Sequence, residues 1–303
     1  MRDRAVRSRP TVKIFGAVVV AGVLVLVLSN VLFHLNPFTW IADTVGVVPT
    51  SFESSFETGE IQCRVCAVDA WSIENLSNTS EAIEVVGLES GAPVRDGEHS
   101  VRIHAEYDYD WDPKPKVELS AYWQPFFVQH TEYWVGWSIY LPDDGTYEFD
   151  SAYQEVLLQI HALNDDCDGN GMGPTHALRP LDGRWRWDVR WDSTQCLDGD
   201  PAGQEIIDIG PQERGRWTDF VARFVFSHED DGITQVWRDG ELVVDRIGMP
   251  NHYNDEHGPY LKMGLYKSGW LENETDVSTR TLFLDTIAVY EGVDGFSKVD
   301  PAR

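Results

Sequence analysis

Residues Arg184 to Trp191 alternate without a break. Trp185, Trp187, Val189 and Trp191 fall on one side of an extended chain, and Arg184, Arg186, Asp188 and Arg190 on the other. A two-residue period marks a β-strand with one buried face, because successive side chains of a strand point to opposite faces. The pattern recurs. Ser100 to Glu106 alternates, Tyr133 to Leu141 is aromatic and β-branched, and Glu155 to His161 is short and apolar. Asp219 to Phe226, Thr234 to Trp237, Leu242 to Val244, Tyr260 to Tyr266 and Thr281 to Tyr290 complete the set. Arg238-Asp239-Gly240-Glu241 reads as a hairpin turn. Helical periodicity is nearly absent from this region, so no crossover helices are available. The expected fold is all-β, an antiparallel β-sandwich without internal repeat or second domain.

Composition supports a packed core. Hydrophobic residues make up 42%, with 12 Trp, 11 Tyr and 13 Phe, which excludes a disordered chain. The net charge of −26 excludes a general nucleic-acid binder, since phosphate binding needs a basic surface. Residues 1–35 hold five basic side chains and one acid, so the remainder (24 less 5 basic, 50 less 1 acidic) carries −30. Lysine occurs only at 13, 114, 116, 262, 267 and 298. Such an acid excess with little lysine fits a halophilic protein, in concentrated salt where screening shortens to roughly 3 Å at about 1 M.

The amino terminus carries a different signal. Basic residues Arg2, Arg4, Arg7, Arg9 and Lys13 precede Ile14 to Phe33, a stretch of twenty residues without a charge. At about 1.5 Å per residue this matches the roughly 30 Å hydrocarbon core of a bilayer. The expected organisation is a cytoplasmic segment 1–13, a transmembrane signal anchor 14–33, a linker 34–54 and an external domain 55–303. Cleavage as a signal peptide is the alternative, but Val31-Leu32-Phe33-His34 offers no small-x-small site. Four cysteines suit an exported chain. Cys63 with Cys66 and Cys167 with Cys196 is the simplest disulfide pairing among three. A zinc ribbon is disfavoured because no second Cys-x-x-Cys follows.

Chemistry-bearing residues concentrate on two strands. In Gln159-Ile160-His161, Gln159 and His161 share a face. In Tyr260-Leu261-Lys262-Met263-Gly264-Leu265-Tyr266, the residues Tyr260, Lys262, Gly264 and Tyr266 share one face and the three apolar residues the other. The apolar face belongs in the core, which leaves the polar set on an outer sheet surface. Glycine among them is expected to leave room for a ligand near the backbone. Asp165 to Gly171 has the oxygen density of a structural calcium site but lacks the EF-hand spacing. A solvated acidic loop is the preferred reading there, and no other metal or cofactor is expected.

Gln159-Ile160-His161 followed by Tyr260-x-Lys262-x-Gly264-x-Tyr266 resembles the paired signatures of jelly-roll polysaccharide lyases, which include alginate lyases, glucuronan lyases and heparin lyase I. Ser55 to Gly59, Pro93 to Gly97, Gly136 to Asp144, Gly215 to Val221 and Val236 to Gly240 are similar to further segments of these enzymes in the same order. The heparin lyase I and glucuronan lyase branch is the nearest in pattern. Lys116-Val117-Glu118-Leu119-Ser120 stands where alginate lyases carry Arg-x-Glu-x-Arg: Glu118 is kept, and lysine and serine replace the arginines.

The resemblance implies a concanavalin A-like jelly roll that cleaves an acidic, uronate-containing glycan by β-elimination. It implies catalytic roles for His161, Tyr266 and Gln159, and substrate contacts from Lys262, Tyr260, Glu118 and Lys116. Arg184, Arg186 and Arg190 are candidates for added positive charge if their face lines the groove. Gln159 and a cation would neutralise the uronate carboxylate, and His161 would take the proton beside it. Tyr266 would protonate the leaving oxygen, or act as base if a cation lowered its pKa. A non-catalytic lectin-like domain and a structural cell-envelope protein are the alternatives.

Overall fold

The computed structural model describes residues 51–61, 71–77, 79–111, 114–121, 127–163, 165, 172–272 and 274–303. Among them run fifteen strands: β1 (Phe52–Ser54), β2 (Ser72–Asn75), β3 (Ile83–Gly87), β4 (His99–Glu106), β5 (Lys116–Ser120), β6 (Glu132–Tyr140), β7 (Val156–His161), β8 (Pro174–Leu178), β9 (Arg184–Trp191), β10 (Gly203–Pro211), β11 (Trp217–Val225), β12 (Ile233–Arg238), β13 (Glu241–Ile247), β14 (Tyr260–Tyr266) and β15 (Thr279–Glu291). They form two sheets. One has the order β10-β9-β8-β7-β14-β5-β2. The other has the order β13-β12-β11-β6-β15-β4-β3, with β1 pairing β15. Neighbouring strands in both sheets are antiparallel.

The alternation in β9 has the consequence expected of it. Trp185, Trp187 and Val189 are fully buried, whereas Trp191, near the strand end, is half-buried. Trp187 stacks at 6.3 Å on Trp137 of β6, and Trp137 stacks at 5.2 Å on Phe220 of β11. These rings bridge the two sheets, and each contributes roughly 1.5–3 kcal/mol by leaving water. His176 of β8 also points inward. It packs 5.0 Å from Phe224 and lies with Nε2 2.9 Å from Thr234 Oγ1. Burial holds it neutral, with its pKa well below the ordinary value.

A buried ionic cluster ties the end of β14 to the start of β7. Lys267, directly after β14, pairs with Asp150 at 2.6 Å and with Glu155 at 3.2 Å. Glu155 also accepts from Arg280 Nε at 2.6 Å and from Tyr147 Oη at 2.5 Å.

Six strands, β1, β2, β3, β5, β8 and β10, lie outside the strand segments that periodicity singled out in the sequence. β1 starts at Phe52, ahead of Ser55 to Gly59. The apolar segment 14–33, Cys63, Cys66, Cys167 and residues 166–171 of the acidic loop lie outside the described residues. No helix among the described residues is long and apolar enough to cross a membrane. Asp165 accepts the Glu256 N–H at 2.9 Å.

Candidate active site

Register sets the neighbours. Across β7 and β14, Tyr260 faces His161 and Lys262 faces Gln159. Across β14 and β5, Lys262 faces Ser120, Gly264 faces Glu118 and Tyr266 faces Lys116. Glu118 in turn faces Glu74 of β2. Leu158, Ile160, Leu261, Met263 and Leu265 are buried in the core, so alternation turns the polar set to the outer face of the seven-stranded sheet.

Four charges interlock there. Lys262 Nζ lies 2.7 Å from Glu74 Oε2 and 3.1 Å from Glu118 Oε2. Lys116 Nζ lies 3.1 Å from the same Glu74 oxygen. Gln159 Nε2 donates to Glu118 Oε1. Burial alone would discharge Lys262, but Glu118 and Glu74 outweigh it and raise its pKa above the ordinary lysine value. Glu74 is likewise lowered: burial opposes, and its bonds to Lys262 and Lys116 prevail. Only 2% of the Lys262 side chain is exposed, against 21% of Lys116. Lys116 is therefore the ammonium of this pair that an external anion can reach.

His161 Nδ1 lies 2.7 Å from the Ala162 carbonyl oxygen. A carbonyl only accepts, so Nδ1 carries the proton and Nε2 of the neutral ring is left as a lone pair. Burial, with help from Lys262 and Lys116, lowers the pKa to about 4. The ring is thus neutral near pH 7 and able to receive a proton. Tyr260 packs against it, with ring centroids 5.4 Å apart.

Tyr266 stands six residues beyond Tyr260, with Lys116 Nζ 6.0 Å from its ring centre. Burial first, then Glu118, raise its pKa above the ordinary tyrosine value. No cation lowers it enough to make it a base, and the phenol stays protonated. The backbone here is irregular: pairing with β7 shifts between Met263 and Tyr266. Gly264 has φ +141°, and a Cβ on it would lie 2.4 Å from Val117 O and 2.8 Å from Glu118 Cα. The glycine admits β5 and the bulge, rather than giving a ligand access to the backbone as the sequence suggested.

The same face continues over β8 to β9. Gln159 faces Ala177, and Ala177 faces Asp188. Asp188 is buried, with Arg179 Nε at 2.8 Å and Arg190 Nε at 3.2 Å, and it accepts a hydrogen bond from Gln204 Nε2 at 2.8 Å. Arg186 lies on this face too, but on β9, two strands from Gln159, and opposite Asp208 of β10. Sequence pattern brought forward Gln159, His161, Lys262, Glu118 and Lys116, and these do come together. It missed Glu74, on the four-residue strand β2, and Arg179, directly after β8, neither of which has an apolar alternation to flag it.

The family of chains described as polysaccharide lyase matches residues 77–288. Among solved structures, the endo-β-1,4-glucuronan lyase of the fungus Trichoderma reesei superposes with a TM-score of 0.61 at 14% identity, covering 85% of this chain and 100% of that one. Alginate lyase AlyC3 gives a TM-score of 0.45 at 13% identity, covering 63% and 75%. Alginate lyase Aly36B gives 0.44 at 12% identity, covering 80% and 97%. No curated protein matches. The glucuronan lyase likeness carries the fold, a two-sheet jelly roll, and the match over residues 77–288 carries the family: this chain is a member of the polysaccharide lyases.

Proposed function

We propose that the chain cleaves a uronate-containing glycan by β-elimination on the outer face of β7, β14 and β5. The observation that carries this reading is the state of His161, whose Nδ1 proton is committed to the Ala162 carbonyl. Nε2 then takes the proton from the sugar carbon bearing the carboxylate. A double bond forms between that carbon and its neighbour, and the bond from the neighbour to the glycosidic oxygen breaks. Tyr266, kept protonated by burial and Glu118, gives its proton to the departing oxygen. Solvent returns both side chains to their starting states.

Before proton loss the carboxylate must be neutralised, or the carbanion would face a second negative charge. Lys116 supplies an accessible positive charge. Gln159 has two amide N–H donors; one is held by Glu118, which aligns the other for the substrate. The names of the similar glucuronan and alginate lyases support a polyuronate as substrate. Incubating the protein with glucuronan, alginate and a heparin-like glycan tests this. An ultraviolet-absorbing unsaturated end is the expected product, and binding without it would favour a lectin-like domain.

We further propose that residues 14–33 hold the domain on the outer side of the cell membrane and that Cys167 pairs with Cys196. Fractionation with non-reducing peptide mapping checks both. A soluble protein beginning near residues 35–45, or free thiols at both cysteines, would contradict them.

A further inference from the structure

We propose that Arg179 and Arg190, gathered around Asp188, form a second anion site that holds the carboxylate of a uronate two sugars from the bond being cleaved. The proposal rests on the lyase reading and extends it along the same sheet face.

The outer face of this sheet is laid out as a grid. Asp188 is level with Gln159 through Ala177. Strands in a sheet are about 4.8 Å apart, so β9 lies roughly 10 Å from β7, a length that spans about two pyranose units. A glycan running across the strands from His161 therefore brings its next-but-one sugar over β9. In a 4-linked chain with alternating ring orientation, that sugar presents its carboxylate on the same side as the one over Gln159.

The chemistry at β9 fits an anion. Two guanidiniums share a single carboxylate, so the trio has a net positive charge, within a chain of net charge −26. Asp188 is buried and braced by Gln204, which fixes the position of both arginines. It cannot cancel two charges. Arg179 is mostly buried and Arg190 more open, so one forms the floor and the other the reachable rim. Guanidinium also matches a carboxylate with two parallel N–H donors, which Lys116 cannot do.

The test uses the full chain with polyuronate oligosaccharides of three and six units. In the wild type, KM for the hexamer is expected to be roughly tenfold below that for the trimer, the gain typical of one added charge-assisted contact. Arg190→Ala is expected to collapse this ratio towards one, and Arg190→Lys to restore part of it. Hexamers with carboxyls reduced to alcohols outside the cleavage position should show no difference between wild type and Arg190→Ala. To separate misfolding from lost binding, the melting temperature of Arg190→Ala is compared with wild type, and Arg190→Lys provides a second reading. A wild-type enzyme that makes unsaturated products, with a length dependence that Arg190→Ala and Arg190→Lys both leave intact, overturns the second site alone. A wild-type protein that makes no unsaturated product overturns the lyase reading instead.

Discussion

Gln159 and Lys262 lie directly opposite each other across β7 and β14, and both side chains end on Glu118, the first through its amide and the second at 3.1 Å. One buried carboxylate thus sets the position of a hydrogen-bond donor and a cation from two different strands. The arrangement makes Glu118 a positioning residue for the face on which His161 sits.

Removing one member of this cluster should cost stability. Lys262→Met strands Glu118, which is 1% exposed, without its closest cation. Unpairing a buried charge costs about 3–5 kcal/mol. Lys116→Ala should cost far less, because Lys116 is partly solvated and Glu74 keeps Lys262. Urea denaturation of both variants measures the difference. Equal losses would show that the cluster is not energetically divided as its burial suggests.

The two tyrosines of β14 should separate kinetically. His161→Ala and Tyr266→Phe are expected to lower kcat by roughly 10²–10⁴-fold, the range of general acid–base contributions. Tyr260→Phe keeps the ring that packs on His161 and should lose far less. Steady-state rates on one polyuronate decide this. A loss at Tyr260 equal to that at Tyr266 would move the acid role to the tyrosine beside His161.

The alternating residues made the fold legible. Trp185, Trp187 and Val189 declare their buried face without help, and β9 and β14 fall where the pattern puts them. β10 escaped because Gly203 to Pro211 is an edge strand exposed over much of its length, with no core face to impose a period. At the site, sequence spacing showed that Lys262 and Tyr266 share a face, but not which groups consume the lysine's charge. Glu74 is brought to it only by pairing of β2 with β5, a contact of 188 residues' separation. Gly264 was misread for a related reason: its neighbour is Val117, on a strand remote in sequence.

Acidification should begin to destabilise the domain above the ordinary carboxylate range. His161 and His252 are held neutral with pKa values of about 4, chiefly by burial, and burial likewise holds His176 well below the ordinary histidine value. In the unfolded chain each titrates near 6.5. Between about pH 6.5 and 4 the unfolded state therefore binds more protons, and stability falls as pH falls, by up to about 1.4 kcal/mol per pH unit for each such histidine. Asp285, raised to about 6 by burial, opposes this below pH 6. Thermal melts from pH 8 to 4 check the sign. Rising stability over pH 6.5 to 6 on acidification would contradict it. The same state of His161 predicts an acid limb of kcat/KM near pH 4 rather than 6.5.

Salt should strengthen both folding and turnover. The acidic body repels itself and would repel a polyanionic glycan, and only screening or the Lys116 and arginine patches relieve this. Melting temperature and kcat/KM measured from dilute buffer to about 1 M salt should both rise. Full stability and activity in dilute buffer would remove the salt-adapted reading of the charge.

The central claim is that His161 removes a proton and leaves a double bond conjugated to the carboxylate. The direct measurement is continuous ultraviolet absorbance during digestion of a polyuronate, with His161→Ala as the control. The account predicts an increase with wild-type protein, proportional to the new chain ends, and almost none with the variant. Chain ends formed without the chromophore, or an undiminished rate in His161→Ala, would contradict it.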